Sequence, residues 1–174
     1  MSENFSISPA GEKFPLPKTE DYKSEFESLK ERIESERAKG REIVVVMGVG
    51  FVGAVMAAIV ADTVNKKGQP SKFVIGMQRP SARSFWKIPL LNRGISPVKA
   101  EDPEVDPMIA RCVKDKKTLV ATYTYDVLKL ADVVVVDVQC DYLKEDLGNV
   151  RNGQTDMAAL EASLGVIAEH IPPG

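Results

Sequence analysis

The length and composition of the chain exclude several classes of protein. Its 174 residues suffice for one domain with an appendage, and 44% hydrophobic and 28% charged residues are ordinary for a globular protein. The formal net charge of −2 argues against a nucleic-acid partner, which would require a concentrated basic face. The two cysteines predict neither a disulfide framework nor a metal site.

The longest apolar stretch, residues 47–61, begins among glycines and stops at Asp62. It is too short to cross a bilayer, and no secretory signal is visible near the N-terminus. We therefore expect a cytoplasmic protein with no membrane partner.

The first forty residues are predicted to form an arm followed by an amphipathic helix. Residues 1–17 hold Ser, Asn, Gly and Pro with scattered apolar side chains, and we predict that they are poorly ordered or lie on a neighbour. Residues 19–39 are predicted to be a helix, because apolar side chains recur every three or four residues. This helix either packs on its own domain, which we favour because its apolar stripe is short, or forms a homodimer. The stripe consists of Tyr22, Phe26, Leu29 and Ile33.

From residue 41 onward, apolar strands alternate with helices. The first and fourth strands are almost purely β-branched, as strands covered on both faces are. Such a series predicts an α/β fold with helices on both faces of a parallel sheet. The predicted strands are residues 43–47, 73–77, 119–122 and 133–138, and the predicted helices are residues 51–66, 106–114, 125–130 and 155–170.

A glycine-rich loop joins the first of these strands to its helix, which is the context in which a GxGxxG spacing binds dinucleotides. Its first glycine permits a tight turn, the second lets a pyrophosphate approach the backbone, and the third lets the helix pack closely. Packing would explain the third glycine but not three at this spacing. We therefore predict a Rossmann-type domain with the pyrophosphate at the helix N-terminus. The loop residues predicted to bind it are Gly48, Val49, Gly50, Phe51, Val52 and Gly53.

The residues after the second strand bear on the choice of cofactor. NAD-binding domains place an Asp or Glu here to bind the ribose 2′-hydroxyl, whereas this chain has Gln78, followed by Arg79 and Arg83. Gln78 can still hydrogen-bond a ribose hydroxyl. The two arginines can pair with a 2′-phosphate, which a carboxylate would repel, unless both are merely solvated loop residues. The glycine loop predicts NAD as the cofactor, with NADP possible, and the residues after the second strand lean toward NADP or toward loose discrimination between the two.

The end of the fourth strand carries the remaining candidates, Val138, Gln139 and Cys140, because parallel sheets bind ligands at this edge. All three are predicted to contact the cofactor. Cys140 has no histidine near it in the sequence, so we interpret it as lining the cleft rather than as a nucleophile. Cys112 is predicted to lie in the core, and His170, at a helix end, has no predicted catalytic role. No catalytic residue and no metal ligand is predicted in the chain.

The segment from Arg41 to Gly174 resembles the UDP-glucose/GDP-mannose dehydrogenase family. That family has a Gly-x-Gly-Tyr-Val-Gly loop, and here Phe51 takes the place of the tyrosine. It then has an Asn-x-Gly-x-x-Pro segment, matched here by Asn92-Arg-Gly-Ile-Ser-Pro. Its strand ending in Thr and its Ala-Asp-Val segment are matched by Thr122 and by Ala131-Asp-Val-Val-Val-Val.

This resemblance implies an enzyme that oxidises the primary alcohol of a nucleotide-linked sugar to a carboxylate. The family does so in two hydride transfers to NAD, through a cysteine-bound intermediate. The resemblance also implies that this chain is the cofactor-binding part of a longer enzyme, because the family's catalytic cysteine and lysine lie in later parts. The C-terminal Ile171-Pro-Pro-Gly, typical of a turn before another strand, favours the same interpretation. The isolated chain, predicted as a dinucleotide-binding domain at residues 41–174, is expected to be inactive.

Three features depart from the family pattern. Gln78 replaces the family's Asp, Gln139-Cys-Asp-Tyr replaces a Pro-Thr-Pro loop, and a helix precedes residue 41. Arg83, in contrast, matches a basic residue that members often carry. Two other functions stay open at this point. They are an NADP-linked oxidoreductase of another family and a non-catalytic nucleotide-binding or dimerisation module.

Overall fold

The structure is a computed structural model that describes residues 4–143 and 153–171. The strands are β1 (Phe5–Ile7), β2 (Lys13–Pro15), β3 (Glu42–Met47), β4 (Lys72–Met77), β5 (Leu119–Thr122), β6 (Val133–Val136), β7 (Asp141–Leu143) and β8 (Gln154–Asp156). The α-helices are α1 (Thr19–Ala38), α2 (Phe51–Asp62), α3 (Lys87–Asn92), α4 (Val105–Lys114) and α5 (Ala158–His170), and a 3₁₀ helix spans Tyr125–Leu130. None of the helices in these described ranges is both long and apolar enough to cross a bilayer.

A four-stranded parallel sheet with the order β5-β4-β3-β6 forms the centre of the fold. The central strand β3 pairs with β4 on one side, where Val45 lies opposite Ile75, and with β6 on the other, where Val45 lies opposite Val134. The side chains of β3 are buried on both faces from Ile43 to Met47. The uninterrupted apolar run therefore serves two cores at once, one on each face of the sheet.

Helices cover both faces of the sheet, which confirms the predicted α/β fold. Alternate side chains of β3 point into different cores: Val44 and Val46 into one, Ile43 and Val45 into the other. The first core also takes side chains from α2, α3 and α4. The second takes Ile33 of α1, residues of the 3₁₀ helix and partly buried side chains of α5.

The N-terminal helix α1 packs on its own sheet, as the favoured sequence interpretation expected. Ile33 is buried in the second core, and Leu29 is also buried. Only a six-residue 3₁₀ helix connects β5 to β6, so this connection alone leaves much of that face open. The apolar stripe of α1 covers it. Glu36 is buried too, and its carboxylate is paired with Arg41 and Lys39, which offsets the cost of burying a charge.

The prediction that the first 17 residues are poorly ordered or lie on a neighbour is wrong for the part that the structure describes. Strands β1 and β2 form an antiparallel hairpin that packs on its own chain. The buried Ser6 hydroxyl accepts a hydrogen bond from the Trp86 backbone N–H at 3.0 Å, and Phe14 is buried beneath the guanidinium of Arg93. These anchors come from distant residues, so local composition does not reveal them.

The structure corrects the predicted end of α2, which stops at Asp62 rather than at residue 66. The side chain of Asn65 accepts backbone hydrogen bonds from Lys67 and Gln69, forming a turn that competes with the helix. The guanidinium of Arg111 also binds the Asp62 carboxylate and holds the pKa of that carboxyl well below its usual range. The helix end is therefore fixed to α4.

Two further boundaries differ from the predictions by two residues or more, and one helix was not predicted. Strand β6 ends at Val136 rather than at 138, because its pairing partner β3 ends at Met47, opposite Val136. The last helix begins at Ala158 rather than at 155, because residues 154–156 pair with β7 as strand β8. Helix α3 was not predicted at all. The predicted turn after Ile171 lies outside the described residues.

Candidate functional site

The glycine loop lies where β3 ends and α2 begins, at the carboxyl edge of the sheet. Gly48 has a φ of +100°, and its N–H donates a hydrogen bond to the Met77 carbonyl oxygen at 2.8 Å. A Cβ on Gly48 would overlap with the backbone carbonyl of Asp137, and one on Gly53 would overlap with the carbonyl oxygen of Gly48. The backbone therefore requires glycine at both of these positions.

Gly50 differs from its two neighbours in the motif. Its φ of −78° is ordinary for any residue, and a Cβ placed on it would meet nothing within 4 Å. Packing within the described chain therefore does not account for the glycine at position 50. The open space in front of it lies at the first turn of α2, whose N-cap is Gly50 itself and carries no capping side chain.

The other predicted loop residues have different environments. Val49 is buried in the first core, so it can present only its backbone to a ligand. Phe51 and Val52 are more than half exposed on the first turn of α2. The N–H groups of a first helical turn have no acceptor inside the helix, and the helix dipole favours negative charge there. This end of α2 can thus hold a phosphate group.

A cleft of about 280 Å³ lies beside the loop, between the ends of β3 and β4 and one face of α5. This volume is at the lower end for small-molecule pockets, so the cleft is sized for part of a dinucleotide. Of the predicted site residues it brings together Gly48, Gln78, Arg79 and Val138. Residues that the sequence predictions missed also line it: Met47, Met77, Tyr125, Ala159, Ala162, Ser163 and Val166.

The missed residues on α5 do leave a trace in the sequence. Ala159, Ala162, Ser163 and Val166 recur at helical spacing, and three of them are small. Small side chains on one helix face allow a ligand or another backbone to approach closely. Tyr125 leaves no comparable signal, because only the sheet order places the start of the 3₁₀ helix beside the end of β4. Burial raises the pKa of the Tyr125 phenol, so it stays neutral near pH 7.

Gln78 connects the glycine loop to the loop that follows β4. Its Oε1 accepts a hydrogen bond from the Val49 N–H at 3.2 Å, and its Nε2 lies 3.4 Å from the hydroxyl oxygen of Ser84. The amide of Gln78 is therefore held in the position where NAD-binding domains carry a carboxylate. Arg79 and Arg83 are both exposed, and only Arg79 lines the cleft.

The candidates at the end of β6 are less closely grouped. Val138 lines the cleft, whereas Gln139 and Cys140 are exposed outside its lining. The Gln139 amide donates a hydrogen bond to the Asp141 carboxylate at 2.8 Å. The predicted cofactor contacts of these two residues stay predictions. His170 lies 6.1 Å from Tyr125 between ring centroids, at the end of α5 and away from the glycine loop.

Cys112 lies in the first core, as predicted, and burial raises the pKa of its thiol to about 11. Cys140, in contrast, is exposed. Among residues 4–143 and 153–171, no group of His, Cys, Asp or Glu side chains has the arrangement of a metal site.

The Asn92-Arg-Gly segment has a clear structural role. The Asn92 side chain donates to the Ala121 carbonyl at 2.9 Å and accepts from the Ala121 N–H at 2.6 Å, so it pairs with the edge strand β5 as another strand would. Gly94 ends α3 with a φ of +73°, and a Cβ there would lie 3.3 Å from the Ala110 Cα of α4. The spacing between Asn and Gly thus fixes α3 between the sheet and α4.

A larger cavity of about 710 Å³ lies elsewhere, between the N-terminal hairpin, the loop at residues 94–99 and α4. Its walls are mostly apolar, and none of the predicted site residues lines it. The smaller cleft, in contrast, lies at the carboxyl ends of the strands, which is where parallel α/β sheets bind ligands.

Comparison with solved structures finds this arrangement in nucleotide-sugar dehydrogenases. NDP-N-acetyl-D-galactosaminuronic acid dehydrogenase from Methanosarcina mazei Go1 is 29% identical, with a TM-score of 0.64 over 83% of this chain and 28% of its own. GDP-mannose dehydrogenase from Pseudomonas aeruginosa is 25% identical, with a TM-score of 0.56 over 73% of this chain and 24% of its own. The resemblance to the UDP-glucose/GDP-mannose dehydrogenase family is confirmed.

A UDP-glucose dehydrogenase from the archaeon Pyrobaculum islandicum shares the fold at 17% identity, with a TM-score of 0.55 over 75% of this chain and 26% of its own. The chain spans only about a quarter of the length of these dehydrogenases. No protein-family model matches the sequence, and no curated protein matches it.

Proposed function

We propose that this chain is the NAD- or NADP-binding part of a nucleotide-sugar dehydrogenase. Residues 41–174 form the cofactor domain in this proposal, and residues 1–40 are an addition that covers one face of its sheet. The rest of the enzyme supplies the site for the nucleotide sugar. Bound NAD(P) would supply the hydride acceptor for oxidation of the sugar's primary alcohol.

The observation that carries the proposal is the open space at Gly50. Two glycines of the motif are required by the backbone of the folded chain, and Gly50 is not. A side chain there would project in front of the first turn of α2, where a pyrophosphate would approach the free N–H groups. A ligand bound in this space would explain why position 50 is a glycine.

In this proposal, different parts of the chain bind different parts of the cofactor. The first turn of α2 holds the pyrophosphate, and the cleft between Gln78, Tyr125 and α5 takes the adenosine half. Val138 extends the same surface toward the end of β6, where the nicotinamide half would lie. Predominantly apolar walls exclude water from the bound rings, and the few polar groups fix their orientation.

Substitution of Gly50 tests the proposal directly. We expect the wild-type chain to bind NAD or NADP in a calorimetric titration, and we expect Gly50→Val to weaken that binding at least about 100-fold, because the isopropyl group occupies the pyrophosphate position. Gly165→Val is the matched control, since Gly165 is an exposed position on α5 that also faces open space. Equal affinity of the wild type and the folded Gly50→Val variant would contradict the assignment.

The proposal also makes a statement about activity. Cys140 is exposed, and its thiol donates to the Val138 carbonyl oxygen rather than to a histidine. In this proposal the residues that oxidise the sugar lie in another part of the enzyme. We expect no turnover of UDP- or GDP-linked sugars by this chain with NAD or NADP, measured as absorbance of the reduced cofactor at saturating cofactor. Sustained production of reduced cofactor would show that the chain is catalytic by itself.

A further inference from the structure

The loop after β4 places two hydroxyl groups and a cation beside Gln78. The chain turns back at Ser81, whose carbonyl oxygen accepts hydrogen bonds from the N–H groups of Ser84 and Phe85 at 3.1 and 3.0 Å. This turn places the hydroxyl oxygens of Ser81 and Ser84 2.8 Å apart. Both serines are half-buried, so their hydroxyls lie in fixed positions rather than moving freely in solvent.

The pair of hydroxyls lies next to the residue that meets the ribose in other domains of this fold. The Ser84 oxygen is 3.4 Å from Gln78 Nε2 and 3.2 Å from the Arg79 carbonyl oxygen. Gln78 and Arg79 line the cleft together with Gly48. A group attached to the 2′ position of a ribose bound at Gln78 would therefore point toward the two serines.

The charge around this turn is positive. Residues 78–87 contain Arg79, Arg83 and Lys87 but no Asp or Glu. Within the described part of the chain, none of the three cations forms a salt bridge. Burial lowers the pKa of Lys87, and the nearby positive charge of Arg83 lowers it further. An anion bound here would offset that positive charge.

We propose that the turn formed by residues 79–84 is a binding site for the 2′-phosphate of NADP(H), with Ser81, Ser84 and Arg79 as its ligands. The Ser81 hydroxyl donates to a phosphate oxygen, and the Ser84 hydroxyl turns its proton from the Arg79 carbonyl oxygen to the phosphate. Arg79, which already lines the cleft, adds a charge-assisted hydrogen bond. Arg83 adds positive charge to the same turn. The neutral Gln78 tolerates the phosphate, whereas a carboxylate at this position would repel it.

This inference rests on the proposed function and goes beyond it, because it selects one of two cofactors. The dissociation constants of NADP and NAD, measured at one low, fixed salt concentration, test it. We expect wild-type chain to bind NADP at least about tenfold more tightly than NAD, since one charge-assisted hydrogen bond is sufficient for a difference of that size. We also expect NADP binding to weaken more steeply with added salt than NAD binding does.

Two variants identify the ligands of the phosphate. Ser84→Ala and Arg79→Ala should each weaken NADP binding about fivefold or more and leave NAD binding within about twofold. Ser163→Ala is the matched control, because Ser163 lines the opposite wall of the cleft and its hydroxyl donates to the Ala159 carbonyl. This control should affect both cofactors equally. Thermal unfolding of each variant confirms that it is folded.

The possible outcomes separate this inference from the proposed function. If the wild type binds NAD as tightly as NADP or more tightly, the phosphate site is wrong and the dinucleotide-binding function stands. The same holds if Ser84→Ala and Arg79→Ala weaken both cofactors to the same extent. If the folded wild-type chain binds neither cofactor, the proposed function itself is wrong.

Discussion

The ends of the neighbouring strands β3 and β4 lie side by side, but their residues are constrained in different ways. After β3, the backbone itself requires glycine at positions 48 and 53, because a side chain would overlap with main-chain atoms. After β4, side chains make the contacts, and Gln78, Ser81 and Ser84 hold one another by hydrogen bonds. In the proposed function, the first strand end lets a dinucleotide approach, and the second selects between NAD and NADP.

The largest effect is expected from Gly48→Ala, which tests the constraint at the end of β3. The new Cβ would overlap with the Asp137 carbonyl, and the φ of +100° is unfavourable for alanine. We expect a loss of about 4 kcal/mol or more in the free energy of unfolding, measured by urea denaturation. Gly50→Ala is the control and should cost about 1 kcal/mol or less, because nothing lies near its Cβ. Similar stabilities of the two variants would refute the distinction between these glycines.

The next effect concerns Asn92, which extends the comparison to the neighbouring strand β5. Asn92→Ala removes both partners of the Ala121 peptide groups and leaves a buried N–H and C=O unsatisfied. We expect a loss of about 2 to 3 kcal/mol in the free energy of unfolding. Asn65→Ala serves as the matched control, since Asn65 is exposed and water can replace the turn hydrogen bonds that its side chain accepts. A loss no larger than that of the control would mean that Asn92 does not hold β5.

A smaller effect, on affinity rather than on folding, is expected at the end of β4. Gln78→Asp introduces a carboxylate that accepts the ribose hydroxyls and repels a 2′-phosphate, so the ratio of NAD to NADP affinity should rise about tenfold or more. Gln78→Asn is the matched control, because it shortens the side chain equally but keeps it neutral. The two affinity ratios, measured by titration at one salt concentration, decide the matter. If Asp and Asn give the same ratio, charge at this position does not select the cofactor.

The smallest effect is expected at the end of β6, where the predicted contacts of Gln139 and Cys140 are still untested. Cys140 is exposed, so a thiol reagent should modify it readily, and saturating cofactor should slow that reaction several-fold if the predicted contact exists. Cys112 provides an internal control, because it is buried and its thiol pKa is raised to about 11. Mass spectrometry after timed labelling distinguishes the two sites. An unchanged labelling rate of Cys140 would remove it from the cofactor site.

Much of the fold was predictable because its determinants are local. The β-branched runs and the helical spacing of apolar residues placed the four strands of the sheet within one or two residues of their observed bounds. The stripe from Tyr22 to Ile33 placed α1 on its own domain. The hairpin at the N-terminus was not predictable in the same way, because Ser6 and Phe14 are held by Trp86 and Arg93, about 80 residues away in the sequence.

The parts of the candidate site that are close together in the sequence were predictable. The parts that the order of the strands brings together were not. The sequence by itself determined the glycine loop, the residues that follow β4 and the apolar α2 helix, because each directly follows a strand or loop that the local pattern reveals. Only the tertiary structure separated Gly50 from Gly48 and Gly53, since that distinction depends on the position of Asp137 at the end of another strand. It also placed Tyr125 and α5 in the cleft and turned Ser84 toward Gln78. These contacts arise because a parallel sheet brings the carboxyl ends of distant strands to one edge, a juxtaposition that spacing along the chain does not encode.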